Sequence, residues 1–213
     1  MLWATPFRAA IALQGERVRW LEAIPCECLD QRDPGYGDHR GCDKCQYGYR
    51  YTERSLSGDE RALITAVRRE LMTPDFGIVR IGDLQCTTMP DELGFGDWDR
   101  LVLIEREATA KERVRKGTDL LAQEYPARLV SVQTSTTQYV EGTDYRLDAE
   151  QRKVVWIPGG AAPAEDTVYA VHYAYHPVYW YTGFELRVPR PASGQDELMP
   201  QTGRLSLKAP VEG

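Results

Sequence analysis

Four of the five cysteines lie within twenty residues, at Cys26, Cys28, Cys42 and Cys45. Their spacing is C-x-C, thirteen residues, then C-x2-C. Each pair offers two thiolates from one tight turn. The polar loop between them, with its Gly and Pro, lets the second pair return to the first, as a tetrahedral zinc site requires. Two disulfides, or free thiols, are the alternative use of the same residues. The apolar run Ala9 to Leu13 is too short for a secretory signal, so the expectation is reduced thiols and metal. His39, in the loop, is a possible substitute ligand. Cys86 stands alone in a strand-like segment and reads as a small buried apolar residue.

Other chemistry is thin. The sequence has no G-x-S-x-G, no P-loop, no G-x-G-x-x-G and no H-E-x-x-H, and the expectation is a protein that is not an enzyme. His172 and His176 are four residues apart in a β-branched, aromatic stretch. On a strand that spacing separates them by about 13 Å, too far for one ion. Asp91, Glu92, Asp97 and Asp99 lack an EF-hand pattern and read as a solvated loop. The formal net charge is −6, which argues against a wide nucleic-acid-binding surface, and no specific nucleic-acid binding is expected. A zinc ribbon with Tyr47, Tyr49 and Tyr51 as stacking faces is the competing reading. No apolar run approaches the ~18 residues of a membrane span.

The elements that must carry the cysteines read as strands. Twelve Tyr, five Trp and thirteen Pro, with few long helix-forming stretches, point to β structure. Ile11 to Leu21 suggests a strand or hairpin arm into the cysteine module, and Tyr47 to Tyr51 a strand leaving it. Glu60 to Met72 fits helix or strand; the turn TPDFG and the segment IVRIGDL after it favour a hairpin. Asp99 to Arg106 is a strand. Ala108 to Lys116 is short and charged, a strand or a helical turn. Ala127 to Val140, Asp144 to Leu147, Lys153 to Ile157 and Thr167 to Tyr175 follow, separated by Gly/Pro/Asp turns. Part of the aromatic run Tyr173, Tyr175, Tyr179, Trp180 and Tyr181 must be core, and the rest suits a contact face. The Pro- and Gly-rich tail reads as an extended arm.

Two patterns carry a resemblance. The first is W-x-x-A-x-x-C-x-C with C-x-x-C-x-x-G: Trp20, Ala23, Cys26, Cys28, Cys42, Cys45 and Gly48, followed by Gly82–Asp83 and Asp99–Arg100. The second is Tyr139, Gly142, Asp144, Tyr145, Trp156, Tyr169, Val171, Tyr173 and Pro177. Over residues 16 to 180 the chain resembles structural proteins of the neck and tail of tailed bacteriophages. Where several such modules have Cys-Pro-Cys, this chain has Glu27 between the cysteines.

The resemblance implies a non-enzymatic virion protein, made in the host cytoplasm. It would form a homo-oligomeric ring in the neck, as a head–tail joining, stopper or collar protein beside other neck, portal or tail proteins. A tail or baseplate component is the close alternative, and a zinc-ribbon nucleic-acid-binding factor the distant one. The expected fold is mainly β, a barrel or sandwich with an inserted four-cysteine zinc module and an extended C-terminal arm. The expected division is 1–55 for the N-terminal strands and zinc module (Cys26–Cys45), 56–190 for the barrel or sandwich, and 191–213 for the arm.

Overall fold

The structure is a computed structural model that describes residues 4–28, 42, 45–54, 60–67, 82–89, 96, 98–182 and 201–207. In chain order its elements are α1 (Ala4–Gln14), β1 (Glu16–Pro25), β2 (Tyr49–Glu53), β3 (Arg61–Ala66), β4 (Leu84–Thr88), β5 (Arg100–Leu103) and β6 (Ala108–Arg115). They continue with β7 (Pro126–Gln133), β8 (Gln138–Tyr139), β9 (Tyr145–Asp148), β10 (Lys153–Trp156), β11 (Val168–Tyr175), β12 (Val178–Thr182) and β13 (Gln201–Ser206). The chain is mainly β. It divides into two compact units, Met1–Leu103 with Tyr179–Gly213, and Ile104–Val178. This cuts the chain differently from the expected 1–55, 56–190 and 191–213.

The first unit is a closed six-strand barrel, ordered β1-β3-β4-β13-β12-β5 and back to β1, with β2 added outside on β1. Long β1 makes this possible by changing neighbours along its length. It pairs with β3 at Glu16 and Arg17, with β5 from Val18 to Leu21, and with β2 from Leu21 to Pro25. Every second residue points inward, as a barrel wall requires. Val18, Trp20, Ala62, Ile64, Cys86, Leu101, Leu103, Tyr179, Tyr181 and Leu205 fill the interior. Cys86 is one of these core residues, as its isolation in the sequence suggested. A side chain on Gly203 would lie 2.2 to 2.3 Å from the Tyr181 ring, so glycine there makes room for the tyrosine.

Two expectations need correction in this unit. Ile11 to Gln14 is the end of helix α1, not a strand arm. Gly15 closes the helix with its N–H on the Ile11 carbonyl at 2.8 Å, and Ile11 packs with Met89 and Leu63. Gln201–Ser206, expected within an extended arm, is a barrel strand paired with β4 and β12. Its short apolar positions, Gly203 and Leu205, carry too little hydrophobic signal to mark a strand without the neighbours that cover them. The rest of the expected arm lies outside the described residues, as do His39, Asp91, Glu92, Asp97 and most of the segment IVRIGDL.

The second unit holds a four-stranded sheet, β6-β11-β7-β8, and the hairpin β9-β10. Its core gathers Val114, Leu121, Leu129, Val132, Tyr139, Tyr145, Val154, Tyr169, Val171 and Tyr173. Trp156 stands among Tyr139, Tyr145 and Tyr169, whose rings meet it edge-on at 5.0, 6.0 and 5.3 Å. Asp119 ties this cluster together. It accepts from Tyr169 Oη at 2.6 Å, Trp156 Nε1 at 3.0 Å and the Gly117 N–H at 3.0 Å. Burial and the bond to Asp119 push the Tyr169 hydroxyl pKa well up. Asp144 accepts from the Val140 and Ala161 N–H groups, each at 2.8 Å. The residues of the second sequence pattern described above are thus mainly core aromatics and turn-fixing groups. His172 lies in β11, and the His176 ring nitrogen Nδ1 meets the Arg106 carbonyl at 3.0 Å.

Candidate metal centre

The cysteine module is the loop of the β1–β2 hairpin. The last paired residues of the two strands are Pro25 and Tyr49, and the Cys26 N–H continues the ladder to the Gly48 carbonyl at 2.8 Å. The second cysteine pair feeds a tight two-residue turn. Gln46 and Tyr49 exchange both backbone bonds, at 2.9 and 3.0 Å. Tyr47 and Gly48 between them have φ of 54° and 86°. Two consecutive positive φ values define the turn whose twist matches a hairpin, and glycine is favoured at its second position. Gly48 of the C-x-x-C-x-x-G pattern is therefore needed for backbone reasons.

This geometry brings the predicted ligands together. The Sγ atoms of Cys26, Cys28, Cys42 and Cys45 all lie within 4.8 Å of one another. The Cys28 and Cys45 sulfurs stand 3.4 Å apart. Around a tetrahedral zinc with Zn–S near 2.3 Å, sulfurs stand about 3.8 Å apart. The cluster thus fits a single tetrahedral ion with small adjustments. All four are free thiols rather than disulfide-bonded, and together they can hold a metal ion.

Proton sharing within the cluster is uneven. The Cys28 backbone N–H, then the Cys28 thiol, lower the Cys26 pKa to about 7. The Cys28 thiol is pushed far up, chiefly by its hydrogen bond to Cys26, and burial raises Cys45. One thiolate held by neighbouring thiols is the state from which a cation displaces the remaining protons.

The hairpin is anchored by groups that the sequence reading did not assign to the site. Buried Arg100 donates from Nη1 to the Gln46 side chain at 3.1 Å. Its guanidinium lies over the Tyr51 ring at 4.9 Å and the Trp180 ring at 4.8 Å. Tyr49 stacks on Trp98 at 5.2 Å, and Tyr47 meets Trp180 edge-on at 6.4 Å. The three tyrosines are thus packing groups, and Tyr47 lies in the turn, not in the strand. Asp99 accepts at 2.8 Å each from Trp20 Nε1, the Ala23 N–H and the Gly96 N–H. Burial outweighs these bonds and raises its pKa. The Asp99–Arg100 pair was visible in the sequence, but Trp20, Ala23 and Gln46, the partners that tie it to the hairpin, are 54 to 79 positions away and carried no local signal.

Residues 100–185 match the family model described as a domain of unknown function (DUF4815). The match takes in the second unit and the barrel strands β5 and β12. No curated protein matches the sequence.

Proposed function

We propose that this chain is a structural virion protein of a tailed bacteriophage, a homo-oligomeric ring of the neck that joins, stops or collars the head–tail passage. The support is the use to which the motif residues are put. Trp20 and Ala23 both donate to Asp99, and Arg100 reaches the turn beside Cys45. Trp20, Ala23, Asp99 and Arg100 of the first pattern build one scaffold around the four-cysteine loop.

The metal in this reading is zinc, held by Cys26, Cys28, Cys42 and Cys45. Four thiolates complete a tetrahedral shell, and a bound zinc then supplies cross-linking without an open coordination site. The loop from 26 to 48 is closed at its base by the hydrogen-bonded β1–β2 ladder, and the ion would tie its two cysteine pairs together. Arg100, Tyr49 and Trp98 hold its base.

The test has two parts. Elemental analysis of the purified chain is expected to give about one zinc per chain. An antibody against the chain is expected to label the head–tail junction of purified virions under the electron microscope. Virions that lack the chain overturn the structural reading. Label at the distal tail moves it to the baseplate. Tight, salt-sensitive binding to DNA by the free chain favours the zinc-ribbon alternative.

A further inference from the structure

β6 is the long free edge of the sheet in the second unit; among the described residues its only strand neighbour is β11. The Lys116 N–H bonds to the Thr167 carbonyl at 2.9 Å, in the register that sets Arg115 opposite Val168. Hydrogen-bonded and non-bonded pairs alternate along an antiparallel ladder. The even-numbered residues of β6 therefore bond to β11, and Thr109, Lys111, Arg113 and Arg115 turn their backbone groups outward. The Arg115 carbonyl is taken by the N–H groups of Thr118 and Asp119, at 3.2 and 2.9 Å. Thr109, Lys111 and Arg113 have no such backbone partner among the described residues.

The same alternation places exposed side chains along that strand. From 107 the odd positions read Glu107, Thr109, Lys111, Arg113, Arg115, all exposed. The charge runs from negative through neutral to positive. Glu107 takes both of its bonds from Arg128 on Oε2, at 3.0 and 3.3 Å, which leaves Oε1 for a second donor.

We propose that a second copy of this chain adds its own β6 antiparallel to this edge about a two-fold axis. Thr109 of each copy lies opposite Lys111 of the other, and Glu107 opposite Arg113. Charge chooses the register. A two-residue slide one way sets Lys111 against Lys111, and like charges directly opposite destabilise a pair. A slide the other way leaves only 108–110 of each strand overlapping, against 108–112. Cations on an edge strand ordinarily deter pairing; here they deter one register and complete another. The contact is isologous and closes on itself, so it makes a dimer and needs nothing from the virion reading.

Sedimentation of the full chain across a concentration series tests this. A monomer–dimer equilibrium is expected. Arg113→Glu alone and Glu107→Arg alone each abolish the dimer. An equal mixture of the two variants restores it, because one Glu107–Arg113 contact is kept as in the native pair and the other is rebuilt with its ends exchanged. Lys111→Pro, which removes an outward N–H and leaves the β11 ladder intact, also abolishes the dimer with the circular dichroism of the fold unchanged. A native chain that stays monomeric at every concentration overturns the proposal. So does a dimer that survives Lys111→Pro, or a mixture that fails to pair. A larger ring whose size ignores all of these substitutions removes the β6 pairing and leaves the ring reading standing.

Discussion

The Trp20 indole N–H ends on the Asp99 carboxylate at 2.8 Å, across 79 positions of sequence. The second carboxylate oxygen takes the Ala23 N–H. Leu21 is the last residue of β1 paired with β5, opposite Arg100. Beyond it the Asp99 side chain continues, on the β5 side, what the backbone ladder has stopped supplying. This is where β1 leaves the barrel wall to form the cysteine-bearing hairpin.

Asp99→Ala strands the donors of Trp20, Ala23 and Gly96. A buried donor left unsatisfied costs about 1–3 kcal/mol, so a loss of about 3 kcal/mol or more is expected. Urea unfolding monitored by tryptophan fluorescence measures it. A loss within experimental error of zero shows that the carboxylate is dispensable.

The pH dependence of that contribution has a definite sign. Burial raises the Asp99 pKa above the usual carboxylate value of 3.8. Between the unfolded and folded values the native state binds the extra proton, so its stability rises as pH falls through the raised pKa. The stability of the native chain relative to Asp99→Ala is expected to increase from neutral pH toward pH ~4. Paired urea titrations read this difference; a decrease over the same interval contradicts it.

Cys28→Ser or Cys45→Ser removes one of two sulfurs that stand 3.4 Å apart in the cluster. Both variants are expected to lose the capacity to take up one metal ion per chain, while the second unit keeps its protection from protease. In the native chain, metal affinity is expected to fall with pH across the neutral range, because Cys28 and Cys45 hold their protons, and more steeply below about 7, the value to which the Cys26 thiol is lowered. Competition against a chromogenic chelator across pH checks both points. Unchanged affinity in the serine variants excludes these ligands.

Asp119→Ala empties the polar centre of the second unit and leaves Tyr169 Oη and Trp156 Nε1 without the acceptor they share. A loss of about 3 kcal/mol is expected, whereas Tyr169→Phe, which removes one donor and leaves the acceptor occupied, costs about 1 kcal/mol. Thermal or urea unfolding ranks the two variants. Equal losses contradict the central role of the aspartate.

Gly203→Val places a side chain where the Tyr181 ring stands 2.2 to 2.3 Å away. Overpacking of this kind costs about 1–3 kcal/mol. Truncation before Gln201 is expected to act more severely, since it removes the strand between β4 and β12. Loss of cooperative unfolding in the truncated chain is the readout; a native-like melt argues against a structural role for this strand.

The fold was legible where patterning is local. Most strands from Asp99 to Tyr175 follow alternation and turn residues, although the sequence of Ala108 to Lys116 is open to strand or helical turn and Ala127 to Val140 divides into β7 and β8; the β class of the whole chain follows from composition. The cysteine quartet was legible because its ligand spacing is short, and its clustering is what the structure displays. What sequence did not reveal depends on distant partners. Arg100 over Trp180, Asp99 under Trp20 and Gly203 beneath Tyr181 are each defined by a residue on another strand. The helix ending at Gln14 was masked by the strand-like run after Gly15. Strand β13 was hidden in a tail whose Pro, Gly and polar content resembles that of a linker.

The barrel takes four strands before Ile104 and two after Val178. Synthesis from the N-terminus therefore delivers every strand of the second unit while the barrel is still missing β12 and β13. The inserted unit can mature on the ribosome from contacts within 75 consecutive residues. The barrel must wait for β12 and β13, through Ser206, to be made, with β4 and β5 each lacking a neighbour in the interval. Those two open seams present unpaired strand edges, which are prone to aggregation, throughout that interval.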